Sequence, residues 1–408
     1  MIRTTPFHER TSALNETGLW EHWSNRLVAV RYQMSEKFEY FAIRNAAGLF
    51  DTSPLYKYRF AGPDAERFLG GVLARDPRKL AVGRAEYTLW CDDRGFVIED
   101  GVLLHVEPEE YLLTAAEPNL AYFQGLAGSL DVEIEDISDA YGILSIQGPR
   151  SREILAAVAP AMADLPYFRL ISTELAEVPV RISRTGYTGD LGYEIWTPAA
   201  DALAVWDAVW AAGRPKALIP FGMTALYMAR IEAGLVLLDV DFHSSRFAWT
   251  DADRTTPIEL GFGWMFRDLA KGGNGTSSNG ADRAFIGREA IRDELVNRTS
   301  RWQLTGLVVD WRDYDRIYGE AGLIPPKDHT PIQDEYYVYD DQLNQLGYAT
   351  SQMYSPMLQR HIALARVPLD RTAEGTRLKL EAGVRHRYEY FDAHVTRTPL
   401  FNPQRRTA

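Results

Sequence analysis

The sequence is poor in several things that would otherwise suggest a function. It carries a single cysteine, Cys91, in 408 residues. No internal disulfide can form, and such sparing use fits a reducing compartment. No run of about 18 apolar residues occurs, so no spanning helix is expected. The opening stretch MIRTTPFHERTSAL has no apolar core of signal-peptide length, and the expected location is the cytoplasm. Positive charge is also short. Lys and Arg number 44 against 56 Asp and Glu, a formal net charge of -12, which argues against general affinity for nucleic acid or acidic membranes. The eight histidines show no HxxxH, HExxH or Cys/His spacing, so no metal site is expected. GxGxxG, the P-loop and GxSxG are all missing, which disfavours a self-contained nucleotide fold and a serine nucleophile.

What is present is ordinary folded protein, 46% hydrophobic and 25% charged. The length exceeds the roughly 250–300 residues at which single cores divide, so two or three domains are expected. KYRFAG (57–62) reads as a strand and PDAERFLGGVL as a helix. AEYTLWCDDRGFVIEDGVLLHV (85–106) reads as a hairpin turning at DDRG, and YGILSIQGPRSREILAAVA as strand, turn, helix. Thr197-Pro198 looks like the start of a helix running to about 212, and FGMTALYMARIEAGL reads as a helix stopped at Gly234. KGGNGTSSNG (271–280) has the composition of a flexible loop. Beyond Arg301 short strands dominate (WQLTGLVVD, YYVYD, QLGYATS, HIALARVP, YEYFDAHV), predicting an all-β C-terminal barrel or sandwich.

Two acids do not fit their strands. If DDRG is the hairpin loop, Cys91 faces Phe96 and Tyr87 lies directly across from Asp100. Alternation then sets Phe96, Ile98, Asp100, Val102 and Leu104 on one face. Four of these five are apolar, so the face is read as buried, with Asp100 the exception and Glu99 turned outward with His105. A buried carboxylate is costly unless hydrogen-bonded or paired, and such groups gather at functional sites. The same pattern fits an Asp100 that merely accepts a hydrogen bond from Tyr87. The second acid, Glu194, shares a face with Trp196 just after the glycine-rich SRTGYTGDLG; it could bind a polar ring edge or sit on a surface strand. The Arg405-Arg406 pair in the tail reads as solvated.

Several stretches, taken in order, resemble the glycine-cleavage T-protein family: tetrahydrofolate-dependent aminomethyltransferases and their demethylase relatives. They are RNAAGLFDTS (44–53), GRAEYTLWCDDRGFVIEDGVLL (83–104), SIQGP (145–149), SRTGYTGDLGYEI (183–195), RIEAG (230–234), FIGREAI (285–291) and ATSQMYSPMLQRHIALARV (349–367). The resemblance covers nearly the whole chain. It implies an α+β fold of three domains ringed around a central folate channel, with a barrel-like C-terminal module. The implied domains are 1–55 plus 140–250, 56–139 plus 251–298, and 299–408. It implies tetrahydrofolate as cofactor and a one-carbon unit moved onto it from a small donor. Asp100 stands at the family's key carboxylate, with Tyr87, Tyr187 and Glu194 as folate-binding positions. Gly186, Gly189 and Gly192 would let backbone and Tyr187 approach a flat pterin.

The match departs on the donor side. Counting back from Arg230, the family's arginine-aspartate pair is replaced by Leu226 and Tyr227. Ala115-Ala116 stand where an asparagine is usual, and the tail reads PLFNP. The implied donor is therefore a small molecule, with a lipoyl carrier protein as the less favoured partner. The alternative from another class is a folate-binding sensor or assembly protein without transfer chemistry, and the retained Asp100 argues against it.

Overall fold

Three sheets organise the chain in this computed structural model, which describes residues 2–270 and 283–408. A two-stranded ribbon, β1 (Trp20–Trp23) and β2 (Arg26–Ala29), precedes them. The first sheet contains β3 (Ala47–Asp51), β9 (Tyr141–Gln147), β10 (Leu170–Leu175), β11 (Val178–Ser183), β12 (Gly192–Pro198) and β13 (Leu218–Pro220), in the order β10-β11-β12-β9-β3-β13. The second contains β4 (Tyr56–Ala61), β5 (Arg84–Cys91), β6 (Val97–Glu107), β7 (Glu110–Ala115) and β8 (Glu133–Asp136), ordered β5-β6-β7-β4-β8. The third is a closed six-stranded barrel of β14 (Gln303–Val309), β15 (Tyr336–Tyr339), β16 (Gln345–Ser355), β17 (Arg360–Val367), β18 (Arg377–Val384) and β19 (Arg387–Thr396). The mixed α+β fold with a C-terminal barrel is as the sequence implies. The glycine-rich stretch 271–280 lies outside the described residues.

The sheets meet over one apolar cluster that includes Leu89 and Val97 of the second sheet and Met353 and Leu364 of the barrel. Through it runs the helix Met223–Ala233, whose residues are buried apart from the half-buried Thr224 and Tyr227. A helix covered all round is a core helix rather than a surface one, which is why MTALYMARIEA shows no amphipathic stripe and its two charged residues, Arg230 and Glu232, are buried. Its end at Gly234, with φ +65, is the stop its sequence announces.

Three local readings need correction. The helix expected from Thr197 starts at Ala202, because β12 runs on through Pro198 and a short 3₁₀ turn follows it. In the barrel, RLKLEAGV forms β18 and Trp311–Glu320 forms a helix capped by Asp310; neither was read from the sequence. Arg405 is not free in solvent. It makes a two-pronged ion pair with the buried Asp190, at 2.7 and 2.9 Å.

Candidate functional site

The β5–β6 hairpin carries Asp100, and its turn decides where that acid points. The Asp92 carboxylate accepts from the backbone N–H of Arg94 and of Phe96, and Gly95 takes φ +80. The loop therefore takes in Phe96, and Cys91 pairs with Val97 instead of Phe96. The register then shifts between Trp90 and Cys91, leaving Ile98 as the extra residue of a bulge. Beyond it Leu89 pairs with Asp100 and Tyr87 with Val102. The expected pairing of Tyr87 with Asp100 is thus wrong by two positions. An even slip preserves the face of every side chain, where an odd one would reverse it. Asp100 still shares a face with Tyr87, now on the diagonal, within reach of an aromatic side chain.

The face assignment also needs correction. Ile98 leaves the Asp100 face for the opposite side, where it packs in one cluster with Leu103, Trp90 and Phe123. That opposite side is covered too, so Glu99 is not solvated but fully buried. It accepts from the backbone N–H groups of Ala116 and Glu117 and, at 2.5 Å, from the side chain of Asn119. Burial pushes its carboxyl up to about 8 against those three donors. Glu99 holds the end of β7 in place, and its capacity is spent inside the protein.

Asp100 differs. It is only half-buried by surface area yet deep enough that desolvation pushes its carboxyl up to about 6, with Tyr87 lowering it and Asp241 raising it. A deep acid with remaining access is what a ligand-facing carboxylate should be. The Tyr87 hydroxyl, held above its ordinary range by burial and by Asp100, lacks a well-formed hydrogen bond of its own. Its ring leans on Phe262 at 5.3 Å. Tyr187 is also half-buried, and its hydroxyl donates to the carbonyl of Val236. Burial raises it first, with Arg230, Asp241, Asp100 and Tyr227 acting on it through space. The structure thus gathers Asp100, Tyr87 and Tyr187 at the junction of the sheets.

Glu194 sits on β12, paired across to Ser183 and Ser145. One of its oxygens accepts from the Thr185 hydroxyl, and burial raises its carboxyl with Thr185 opposing. It makes no described contact with Asp100; the loop 184–191, which bears Tyr187, joins its strand to that acid's surroundings. The glycines of this loop do not clear a path for a ligand. A Cβ on Gly186 or Gly192 would run into the protein's own Gln147 side chain, and one on Gly189, at φ +68, into Ala233. Gln147 fills that space, bonded to Ser145 at 2.9 Å, the carbonyl of Thr185 at 3.2 Å and the Thr188 hydroxyl at 2.8 Å. The glycines let the loop close tightly on the sheet, which fixes the base of Tyr187.

Two elements of the site have contacts that the sequence reading did not give. Arg230, quoted only as part of RIEAG, is fully buried and pairs with Asp241 at 2.7 Å and with the Ser351 hydroxyl at 2.6 Å. It ties the central helix to the barrel and acts on Tyr187 through space. Tyr227, one turn earlier, is half-buried and donates to Glu21 of β1 at 3.2 Å. A tyrosine in place of an acid was the only signal available for it. Among the described residues no group of acids, histidines and cysteine could hold a metal ion, and no helix is long and apolar enough to cross a membrane.

Half-buried Asp100, Tyr87 and Tyr187 thus lie together where the sheets converge. Comparison with known proteins gives the family. Residues 11–268 match the GCVT N-terminal domain and 321–402 the glycine cleavage T-protein C-terminal barrel domain. The chain belongs to the glycine-cleavage T-protein family, as its motifs imply. It is 31% identical over 399 residues to the trimethylamine-oxide aldolase of Ruegeria pomeroyi, covering 93% of this chain but only 45% of that protein. It is 31% identical over 388 residues to the heme-dependent oxidative N-demethylase gamma subunit of Ectopseudomonas mendocina, covering 92% and 93% of the two chains. The crystal structure of glycine cleavage system aminomethyltransferase T from Bartonella henselae has the same fold, with a TM-score of 0.80 over 98% of this chain and 99% of that one at 22% identity.

Proposed function

We propose that the chain is a tetrahydrofolate-dependent one-carbon transferase. It moves a methylene or methyl group from a small donor onto the folate, with Asp100 at the reacting nitrogen. The observation that carries this is Asp100 itself, a deep but reachable carboxylate held up to about 6 beside a tyrosine hydroxyl without a proper partner. The residues suit a folate. A pterin edge presents N–H donors, and Asp100, Glu194 and the Tyr87 oxygen are acceptors of the kind it needs. Folate, when bound, supplies the ring nitrogen that takes up the carbon.

The chain's own part is positioning and charge. Asp100, with its carboxyl near the working pH, holds or releases a proton at that nitrogen and stabilises positive charge arising there. Glu194 fixes the orientation of the ring, and Tyr187 and Phe262 offer aromatic walls. A small donor is favoured over a carrier arm, because Leu226 is buried and Tyr227 is already engaged with Glu21. The kinship with an N-demethylase subunit and a trimethylamine-oxide aldolase supports the same direction.

Anaerobic calorimetric titration with tetrahydrofolate tests the reading. Binding is expected, and Glu194→Ala should weaken it about 10- to 100-fold, the loss of one or two charge-assisted hydrogen bonds. Failure of the wild type to bind would remove the folate and the transfer chemistry together. Binding without turnover of any methylated amine, thioether or methoxy donor would favour the sensor reading.

A further inference from the structure

We infer that Glu21, Tyr227 and Trp23 form a subsite for a small ammonium cation, placing a protonated or quaternary methylated amine on the donor side of the junction. The inference names the donor class within the transfer reading above and rests on that reading for the donor's role, though not for the binding itself. The starting point is a carboxylate without a counter-charge. Glu21 is half-buried, its carboxyl is raised by burial, and its one described partner is the neutral hydroxyl of Tyr227. Among the described residues no lysine, arginine or histidine forms an ion pair with it. Across the ribbon it faces Val28, and the nearest arginine on the central helix, Arg230, is committed to Asp241 at 2.7 Å. A partly desolvated acid without a cation is an unfavourable arrangement for folding alone.

The surroundings suit a cation. Alternation along β1 puts Glu21 and Trp23 on one face and His22 on the other. Trp23 turns inward, half-buried against the junction cluster, with its ring 6.2 Å from that of Phe50. The carboxylate is directed the same way, as its bond to the core helix requires. An acid hydrogen-bonded to a phenol and sharing its strand face with an indole is a combination suited to ammonium groups, the acid taking the charge and any N–H, the ring faces taking the methyls. The subsite also adjoins the reacting end. Tyr227 lies near enough to Tyr187 to act on its hydroxyl through space, and Tyr187 stands in the same relation to Asp100. A neutral tyrosine at 227 leaves the Glu21 charge available to a ligand.

The test compares trimethylammonium with tert-butanol, a neutral molecule of similar size, by ligand-observed NMR titration at pH 7 with and without tetrahydrofolate. Wild type should bind the cation and discriminate against the alcohol. Glu21→Gln should weaken cation binding at least 10-fold and Tyr227→Phe about 3-fold, neither changing the weak response to tert-butanol. Folate titration and thermal unfolding of the same samples report whether each variant is folded. A wild type that takes the two probes equally, or a folded Glu21→Gln that keeps the cation, overturns the inference. Should Glu21→Gln not fold, wild-type selectivity for the cation and the about 3-fold weaker cation binding of Tyr227→Phe decide alone. Cation binding without folate binding would sink the transfer reading and leave the subsite standing; folate binding without cation selectivity would do the reverse.

Discussion

Two regions of the molecule bury charge in opposite ways. In one, Arg44 is fully buried and every direction is answered. It pairs with Glu232 at 2.7 and 3.0 Å, reaches Asp190 at 3.4 Å, and donates to the carbonyls of Thr188 and Ala229. Glu232 in turn accepts from Tyr40 and from Ser355 at 2.5 Å, and Arg405 closes the set on Asp190. Helix Glu36–Asn45, the core helix, the glycine-rich loop, the barrel and the tail are thereby joined. In the other region Glu21 is met only by the Tyr227 hydroxyl and Asp100 lies beside a Tyr87 hydroxyl that makes no well-formed bond, and desolvation raises both acids. A closed network stabilises the fold and has nothing left for a ligand. An open one leaves capacity that a ligand can use.

The comparison is broken most severely from the closed side. Glu232→Ala strands Arg44 among buried atoms, and the loss should be about 3–5 kcal/mol, measured by chemical denaturation. Next comes the open side. Asp100→Asn should reduce transfer turnover by about 10²–10³-fold while folate binding falls far less, because its charge is needed as the carbon arrives. A turnover ratio near one would make Asp100 structural, like Glu99.

The smallest effect sharpens the contrast through pH. The folded carboxyl of Asp100 sits at about 6, above its ordinary 3.8. Between those values the folded state holds more protons than the unfolded, so this group's contribution falls as pH rises from about 4 through 6 and is least favourable above 6. Asp100→Asn should therefore stabilise the protein by about 1–2 kcal/mol at pH 8 and by little at pH 4. Thermal unfolding of the pair of proteins at both values reads this out. Destabilisation at pH 8 would show that the charge is satisfied after all.

The sequence by itself determined the family, the barrel, the core helix with its glycine stop, and the identity of Asp100 as an acid out of place. All of these rest on local chemistry: alternation, helix termination and ordered short motifs. Even the misplaced hairpin register left Asp100 on the Tyr87 face, since a two-residue slip does not reverse a strand. Only the tertiary structure decided that Glu99 is buried, that Arg405 closes an ion pair, that Gln147 occupies the space left by the glycines, and that Glu21 meets Tyr227. Each joins residues distant in the chain or depends on what covers a face, and a strand's pattern cannot tell a face open to water from one covered by another layer.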